Sequence, residues 1–579
     1  VSAQLSVVMP VHDVAPWIEE QLDCVLRQDV DLEVIVIDDR STDETVAIVE
    51  RIASGDPRVR LHRSRAAGGG AARNQGIDLA QGEYLVFADG DDLVPDGAYR
   101  ALIDAAERSD AVIALGRHLK FSSGSTWEPM SSWYDVLTES VTDLQAMPRL
   151  LANRACWNRV FRTDFLRASG VRFPNAPRSN DIVPMVRAFL AADRVAVVPE
   201  VVYLYRERPG ASSMTARASG IDGVLSYFDQ EIEVASLLAD AAPEVRRAHA
   251  EVVLDADGYV HLERFLRSQP DANDLHRVIG AVHDLLAVVP TADRQALRAE
   301  RRALWFAVAN GAGEIAVRLA SALHDARDDR DVPPVLLRAW VDVIRSVGVL
   351  GEEAVFALGR GSLVNDGPLV LLANRAEHTD VSVLGSAVTD LGPLTAGVEG
   401  NSELLRAMAG AVHGQDPLAV QLVSTVRHLA PLVVDEAHPD AGGLTLSGPV
   451  AGTVPDGVSL DMVLTATPTE NATLTGAGAA GTQAVLRVDH RSSRWSLRLE
   501  NGDIATGRHR AVVRISFRGL GLDFPVVTAR MPLPPVPSGV QLQPLADRAD
   551  GWRFLVDRRV PSGHFARRLL RAARARLRN

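Results

Sequence analysis

The 579-residue chain sets 61 Lys and Arg against 74 Asp and Glu, a formal net charge of −13, which excludes a general nucleic-acid binder built on a basic surface. No run of about 18 apolar residues offers a membrane-spanning helix, and at roughly 100–200 residues per domain the length predicts three or four domains. The two cysteines, Cys24 and Cys156, lie far apart in apolar surroundings and predict buried free thiols rather than a disulfide scaffold or a zinc site.

The first apolar run, Leu5–Pro10, starts almost at once. No basic flank or cleavage site precedes it, so no signal peptide and a cytoplasmic protein are expected. Pro16 to Arg27 places Trp17, Ile18, Leu22, Val25 and Leu26 at helical spacing, with Pro16 suited to a first helical turn. A second apolar run, Leu32–Ile37, ends in Asp38-Asp39, and Ser41 with Glu44 reads as a capping box for the next helix. Two adjacent carboxylates at a strand end repel unless something binds there. Val59–His62 is a third short run. Gly68-Gly69-Gly70 then opens a helix through Arg73 and Asn74; glycines admit close backbone approach by a ligand, and a helix start favours anions. Glu83–Ala88 is a fourth run and ends in Asp89-Gly90-Asp91-Asp92. Continuous apolar runs of this length predict strands buried on both faces, as in a parallel sheet. Ligands of such sheets bind outside the carboxyl ends of the strands, so these polar clusters predict one site on one edge.

Pro95–Glu107 reads as a helix and Ala111–Gly116 as a strand. Phe121–Tyr134, rich in Ser, Gly, Trp and Met, reads as a long loop facing a substrate. Ala155–Arg162 contains Trp157, which suits either a sugar face or a core. Asn180 precedes a helical pattern, Ile182–Ala192, as a cap, with Asp181 in its first turn. Val201–Arg208 alternates Tyr and Arg and contributes Arg206 and Arg208. Gly223–Leu238, Pro243–Leu266, Asp274–Val289 and Thr291–Ala309 are helical in spacing. In 350–430, Leu369–Leu372 and Val381–Leu384 read as strands, and Asn401–His413 and Pro417–His428 as helices. Beyond Ala441, short alternating runs (Leu444–Leu446, Val458–Ala466, Ala484–Val488, Trp495–Leu499, Ala511–Phe517) separated by turn signals predict a β-sandwich. In the tail, Phe565, Leu569, Leu570, Ala573 and Leu577 share one helical face and arginines cover the rest, the pattern of a helix lying on an anionic membrane surface.

Ser6–His12, Val36–Asp43, Gly69–Gly76, Gly82–Pro95 and Asn180-Asp181 together resemble, in order and spacing, the family 2 glycosyltransferases of the GT-A fold over roughly the first 215 residues. The resemblance implies an α/β, Rossmann-like nucleotide-sugar-binding domain. It implies inverting transfer from a nucleotide diphosphate sugar, a UDP-sugar in the first instance, to a hydroxyl of a cell-envelope glycan or polyol-phosphate polymer. By it, Asp39 accepts a hydrogen bond from the uracil imide, Pro10 and His12 flank the base, and Arg73 lies along the nucleotide. Arg206 and Arg208 reach the diphosphate, Asp181 is the base, and Trp157 with Asn180 faces the acceptor. Asn180 departs from the family's Glu, removing a charge beside the base. A departing nucleoside diphosphate gathers negative charge that a divalent cation offsets. Mn²⁺ or Mg²⁺ takes few protein oxygens, and Asp91, with Asp89, supplies them; Asp92 belongs to the same site.

Wall teichoic acid glycosyltransferases are similar in architecture, with helical and β-sandwich modules after the catalytic domain. The expected domains are therefore 1–217 catalytic, 218–345 a helical linker, 346–435 mixed, 436–560 an Ig-like β-sandwich and 561–579 a basic amphipathic tail. The tail implies peripheral contact at the inner membrane face and the sandwich implies self-association. Two rival readings stand. A nucleotidyltransferase needs a Gly-rich loop directly after the first strand, and Pro10–Pro16 has no glycine. An inactive polymer-binding scaffold has Asn180 as its support.

Overall fold

The computed structural model describes residues 3–129, 139–176, 179–208, 220–289, 297–350 and 360–429, and between 432 and 557 the strands named below with their short connections. The chain divides into two compact units, residues 1–321 with 350–357 and residues 322–349 with 358–579.

The first unit opens with β1 (Leu5–Val11), α1 (Ile18–Leu26), β2 (Leu32–Asp38), α2 (Thr45–Gly55), β3 (Val59–Arg63), α3 (Gly69–Leu79) and β4 (Tyr84–Phe87). It continues with α4 (Ala98–Ser109), β5 (Ile113–Phe121), β6 (Thr126–Trp127), β7 (Ser140–Thr142), β8 (Arg159–Arg162), α5 (Thr163–Ala168), α6 (Ile182–Ala191) and β9 (Val195–Arg206). These strands form one mixed sheet in the order β3-β2-β1-β4-β8-β5-β9-β7, with β6 paired to β5. β3, β2, β1 and β4 are parallel. β8 runs antiparallel to both of its neighbours, and β9 is parallel to β5. Val7, Val8, Val34, Ile35 and Val36 are fully buried, because the central strands are covered on both faces; that is why their sequences are continuous apolar runs. The chain steps from β1 outward to β2 and β3, then returns to add β4 on the other side of β1. This reversal leaves a crevice at the carboxyl ends of β1, β2 and β4, where open α/β sheets bind ligands.

Three local readings are corrected. α2 begins at Thr45, whose N–H is accepted by Asp43 Oδ1 at 2.9 Å; Ser41 instead accepts the Asp13 N–H at 3.1 Å, so no capping box forms. The loop expected over Phe121–Tyr134 contains β6, a short hairpin return on β5; residues 130–138 lie outside the described residues. The glycine run fits the protein's own chain. Gly68 has φ +106°, and a Cβ on Gly70 would stand 2.3 Å from the Pro174 carbonyl oxygen, so the constraint is internal packing.

Five further helices follow: α7 (Ile221–Leu237), α8 (Pro243–Glu251), α9 (Asp257–Arg267), α10 (Ala272–Val288) and α11 (Ala299–Ala309). A π-helical turn, Val252–Ala256, joins α8 to α9. They are tied to the sheet by a buried ionic network. Arg154, just before β8, donates to Glu231 of α7 at 2.5 Å and to Asp257 of α9 at 2.9 Å. Glu231 also pairs with His249 Nε2 of α8 at 2.9 Å.

Next come α12 (Gly313–Asp325), α13 (Pro334–Leu350), α14 (Arg360–Val364), α15 (Val370–Arg375), α16 (Val381–Leu391), α17 (Glu403–His413) and α18 (Pro417–Val426). The strands expected at Leu369–Leu372 and Val381–Leu384 are thus helical. Short apolar runs do not distinguish a strand from a buried helix, and the missed signal was Asp380, which caps α16 by accepting the Ser382 N–H at 2.8 Å. The C-terminal strands are β10 (Leu432–Val434), β11 (Glu436–Pro439), β12 (Gly443–Pro449), β13 (Ser459–Ala466), β14 (Thr482–Val485), β15 (Arg487–Asp489), β16 (Arg494–Glu500), β17 (Gly507–Phe517), β18 (Leu520–Thr528), β19 (Gln541–Arg548) and β20 (Gly551–Asp557). They form a seven-stranded and a four-stranded sheet. The single run read at Ala484–Val488 is split between them, β14 pairing with β13 and β15 with β16. Trp495 and Leu497 are buried, as the period-2 pattern requires. No helix among the described residues is long and apolar enough to cross a membrane. The basic tail, 561–579, lies outside the described residues.

Candidate active site

The crevice is walled by two interlocked loops after β1 and β2. Asp13, at φ +49°, accepts the Thr42 N–H at 2.7 Å and the Asp43 N–H at 3.3 Å. Those hydrogen bonds hold its carboxyl below the usual carboxylate range against a small desolvation by burial. Thr45 Oγ1 accepts the Val14 N–H at 2.9 Å and Asp43 Oδ2 the Ala15 N–H at 3.0 Å. Pro10 pairs with Ile37 at the end of β1. His12 is exposed, and its Nδ1 lies 2.8 Å from the Asp39 carbonyl oxygen, which as acceptor places the proton on Nδ1.

The two aspartates closing β2 divide the work. Asp38 accepts the backbone N–H groups of Arg40 at 3.2 Å and Ser41 at 3.0 Å, turning the chain where Arg40 takes φ +64°. Asp39 Oδ2 accepts the Gly68 N–H at 2.7 Å, while its Oδ1 is buried with no hydrogen-bond partner. An unsatisfied buried acceptor costs about 1–3 kcal/mol, and a ligand N–H in the crevice would remove that cost.

Asp89-Gly90-Asp91-Asp92 follows β4. Gly90 fits because a Cβ there would stand 2.9 Å from Val11 and 3.1 Å from Val14. The loop is tied down from β9: Tyr203 Oη accepts the Asp89 N–H at 2.9 Å and donates to Asp92 Oδ2 at 2.9 Å. The Arg206 N–H donates to Asp92 Oδ1 at 2.7 Å and Arg206 Nε to the Asp91 carbonyl at 2.7 Å. Arg208 Nε pairs with Asp91 Oδ2 at 2.5 Å. Burial raises the carboxyl of Asp91, with the Arg208 hydrogen bond opposing. Burial, then the charges of Asp91 and Asp89, raise Asp92 further.

Replacing Tyr203 with Phe removes a hydroxyl bonded on both sides within this loop. It is expected to cost about 1–3 kcal/mol in a denaturation experiment; an unchanged midpoint would show that the hydroxyl does not brace the loop.

Arg73, on α3, is buried. Its Nη2 donates to Asp89 Oδ1 at 2.6 Å and its Nη1 to Asn180 Oδ1 at 3.1 Å. Burial opposes the charge of Arg73, but the surrounding Cys156, Asp89 and Asp181 raise it. Asn180 therefore does not cap α6 through its side chain, as its position suggested; it is the far anchor of Arg73. Asp181 stands at the head of α6, where burial pushes its carboxyl up and Arg73 pulls it back. Cys156 is a buried free thiol pushed up to about 12 by burial, as expected, whereas Cys24 is half-buried. Asn74 exchanges hydrogen bonds of 2.9 Å with the Phe173 backbone.

Asp39, Arg73, Asp89, Asp91, Asp92, Asn180, Asp181, Arg206 and Arg208 thus lie on linked elements around one crevice. Trp157 does not present an open face. It is 9% exposed, stacked on Tyr203 at 4.4 Å and Tyr205 at 5.7 Å, with His118 edge-on at 4.8 Å. It therefore buttresses the strand that holds the aspartate loop. Tyr203 and Asp13 were not foreseen as site residues. The only available signal for Tyr203 was period-2 alternation in Tyr203-Leu204-Tyr205, which puts both tyrosines on one face.

The donor set fits a divalent cation. Asp89, Asp91 and Asp92 are hard oxygen donors, and burial together with their mutual repulsion raises Asp91 and Asp92. No group of three His, Cys, Asp or Glu side chains is assembled as a metal cage among the described residues. Mg²⁺ and similar cations are nonetheless commonly held by one or two carboxylates together with substrate phosphates.

The mixed sheet with its carboxyl-edge crevice defines a GT-A-like α/β domain. Residues 6–170 match the family model Glycosyl transferase family 2. Over 213 residues the chain is 30% identical to the uncharacterized glycosyltransferase EpsJ of Bacillus subtilis, covering 36% of this chain and 62% of that protein, less than two thirds of its length. Over 222 residues it is 27% identical to the poly(ribitol-phosphate) beta-N-acetylglucosaminyltransferase TarS of Staphylococcus aureus, 37% of each chain. The crystal structure of S. aureus TarS 1-349 in complex with UDP-GlcNAc aligns with 56% of this chain and 91% of that one, at 20% identity and a TM-score of 0.46.

Proposed function

We propose that the protein is an inverting, metal-dependent glycosyltransferase that moves a sugar from a UDP-sugar to a hydroxyl of a cell-envelope glycan or polyol-phosphate polymer. The observation that carries this reading is the free, buried Oδ1 of Asp39 in the same crevice as the Asp89–Asp92 carboxylates and the buried Asp181. One end can receive a base N–H, the middle can hold a charged diphosphate, and the far end carries a carboxylate suited to proton abstraction. A relative named as a poly(ribitol-phosphate) glycosyltransferase supports the acceptor class.

Asp39 accepts the uracil imide N–H, with Pro10 and His12 beside the ring. Arg206 and Arg208 approach the diphosphate from β9. Asp91, with Asp89, would hold Mn²⁺ or Mg²⁺, which when bound offsets the charge of the leaving diphosphate. Asp181 takes the proton of the acceptor hydroxyl, and attack opposite the leaving group inverts the anomeric carbon. Arg73, braced by Asn180, holds Asp89 toward the donor. The domains are read as 1–217, 218–345, 346–435, 436–560 and 561–579. The third is helical where described up to residue 429 and then enters β10, the two C-terminal sheets are taken as a β-sandwich for polymer binding or self-association, and the basic tail as a contact to the inner membrane face. The rival nucleotidyltransferase and inactive-scaffold readings lack such an observation.

The test is UDP release from a panel of UDP-sugars with Mn²⁺ and with EDTA, alongside binding of UDP, GDP and dTDP. Slow metal-dependent hydrolysis of one sugar, with selective UDP binding, is expected. Binding of none of the three nucleotides would overturn the reading.

A further inference from the structure

Arg208 stands where the proposed cation must go. Its guanidinium carbon lies 4.5 Å above the ring of Trp17, just before α1, and Nε meets Asp91 Oδ2 at 2.5 Å with the two side chains 12% and 17% exposed. The segment leading to it is pinned on the same side: Arg206 Nη2 bonds Glu20 of α1 at 2.7 Å, and its guanidinium lies 4.6 Å over Phe121. An ion pair this sheltered from water holds its partner against competitors more firmly than an exposed one. Asp91 therefore cannot give both oxygens to a divalent cation while Arg208 remains bound, and the Nε donor of Arg208 is not free for a diphosphate while it remains on Asp91.

We propose that Arg208 is a built-in counter-cation for Asp91 that exchanges partners, passing from the carboxylate to the diphosphate as the divalent cation takes Asp91. The inference rests on the nucleotide and metal reading of this crevice and adds the rule that the two ligands bind together. A bare cation must break the Arg208–Asp91 pair without compensation. When a diphosphate arrives, the released guanidinium has a new anionic partner, and the two binding events favour each other. Such coupling is reciprocal: whatever factor UDP adds to cation affinity, the cation adds to UDP affinity. Trp17, which Arg208 covers, changes its surroundings at the exchange.

The experiment uses the full chain and measures Mn²⁺ binding by calorimetry, with and without saturating UDP, in the wild type and in Arg208→Gln and Arg208→Lys. Without UDP, Arg208→Gln is expected to bind Mn²⁺ about tenfold more tightly than the wild type, the scale of one charge-assisted hydrogen-bonded pair. Arg208→Lys, which keeps the charge and loses the stacked fork, should fall between the two. The enhancement of Mn²⁺ affinity by UDP should shrink in Arg208→Gln. Addition of Mn²⁺ with UDP should change the tryptophan fluorescence of the wild type, and Trp17→Phe should lose that change. Bare Mn²⁺ binding that is equal or weaker in Arg208→Gln would overturn the exchange while leaving the nucleotide reading intact. Absence of both Mn²⁺ and UDP binding from all three proteins would overturn the two together.

Discussion

Asp181→Asn is expected to lower kcat by about a thousandfold, the middle of the range for loss of a positioned general base, with UDP binding preserved. The carboxylate heads α6, and the charge of Arg73, which bonds Asp89 and Asn180, acts on it. Burial raises its pKa above the ordinary 3.8 and Arg73 restrains the rise. A raised value moves a carboxylate toward the range in which it both stays ionised near neutrality and accepts a proton effectively. The sign of the pH dependence follows. The working form is deprotonated, so activity falls as pH drops through the raised value, at a higher pH than for an ordinary aspartate. Wild-type rates should show this acidic limb and the residual rate of Asp181→Asn should lack it. A variant with near wild-type kcat would remove Asp181 from the reaction.

The second large effect concerns stability. Glu231→Ala is expected to destabilise the protein by about 3 kcal/mol in urea unfolding, the lower end of the cost of removing one partner of a buried pair, because Arg154 keeps Asp257. Glu231 is fully buried and pairs with Arg154, itself 4% exposed by side chain, and with His249. Removing it leaves the buried Arg154 with the more exposed carboxylate of Asp257 as its ion-pair partner. Burial favours the neutral carboxyl, but the charge of Arg154 and the hydrogen bond of His249 prevail and bring Glu231 down to about 2 from 4.5. With the folded pKa depressed, the stabilisation is fully present above pH 4.5 and is lost as pH falls toward 2. The acid-induced loss of stability in this window should be smaller in Glu231→Ala. A variant as stable as the wild type would show that α7 to α9 are not held by this network. The network also bears on where the catalytic part ends. A chain cut at 217 would lose Glu231 and Asp257, the two ion-pair partners of Arg154.

The amino-acid sequence by itself determined the positions of the first four strands along the chain, the strand-end positions of Asp39 and Asp89–Asp92, and the resemblance to family 2 glycosyltransferases. Runs such as Leu32–Ile37 are apolar throughout because both faces of the sheet are covered, and polar residues can begin only where the strand leaves that cover. Those signals are local, so they can be read along the chain. The tertiary structure alone decided which side chains meet. Arg73 and Asn180 are 107 positions apart, and Tyr203 reaches the Asp89–Asp92 loop only because the sheet brings β9 within reach of the carboxyl end of β4. Adjacent Asp38 and Asp39 were indistinguishable in the sequence; the fold spends one on a turn and leaves an oxygen of the other free. Trp157 looked equally suited to a sugar and to a core until Tyr203 and Tyr205 covered its face. Leu369–Leu372 and Val381–Leu384 were misread as strands because a buried helix and a buried strand of four residues present the same apolar string. For Arg73, Tyr203 and Trp157 the deciding energy is contact between segments distant in sequence, which no window of the chain contains.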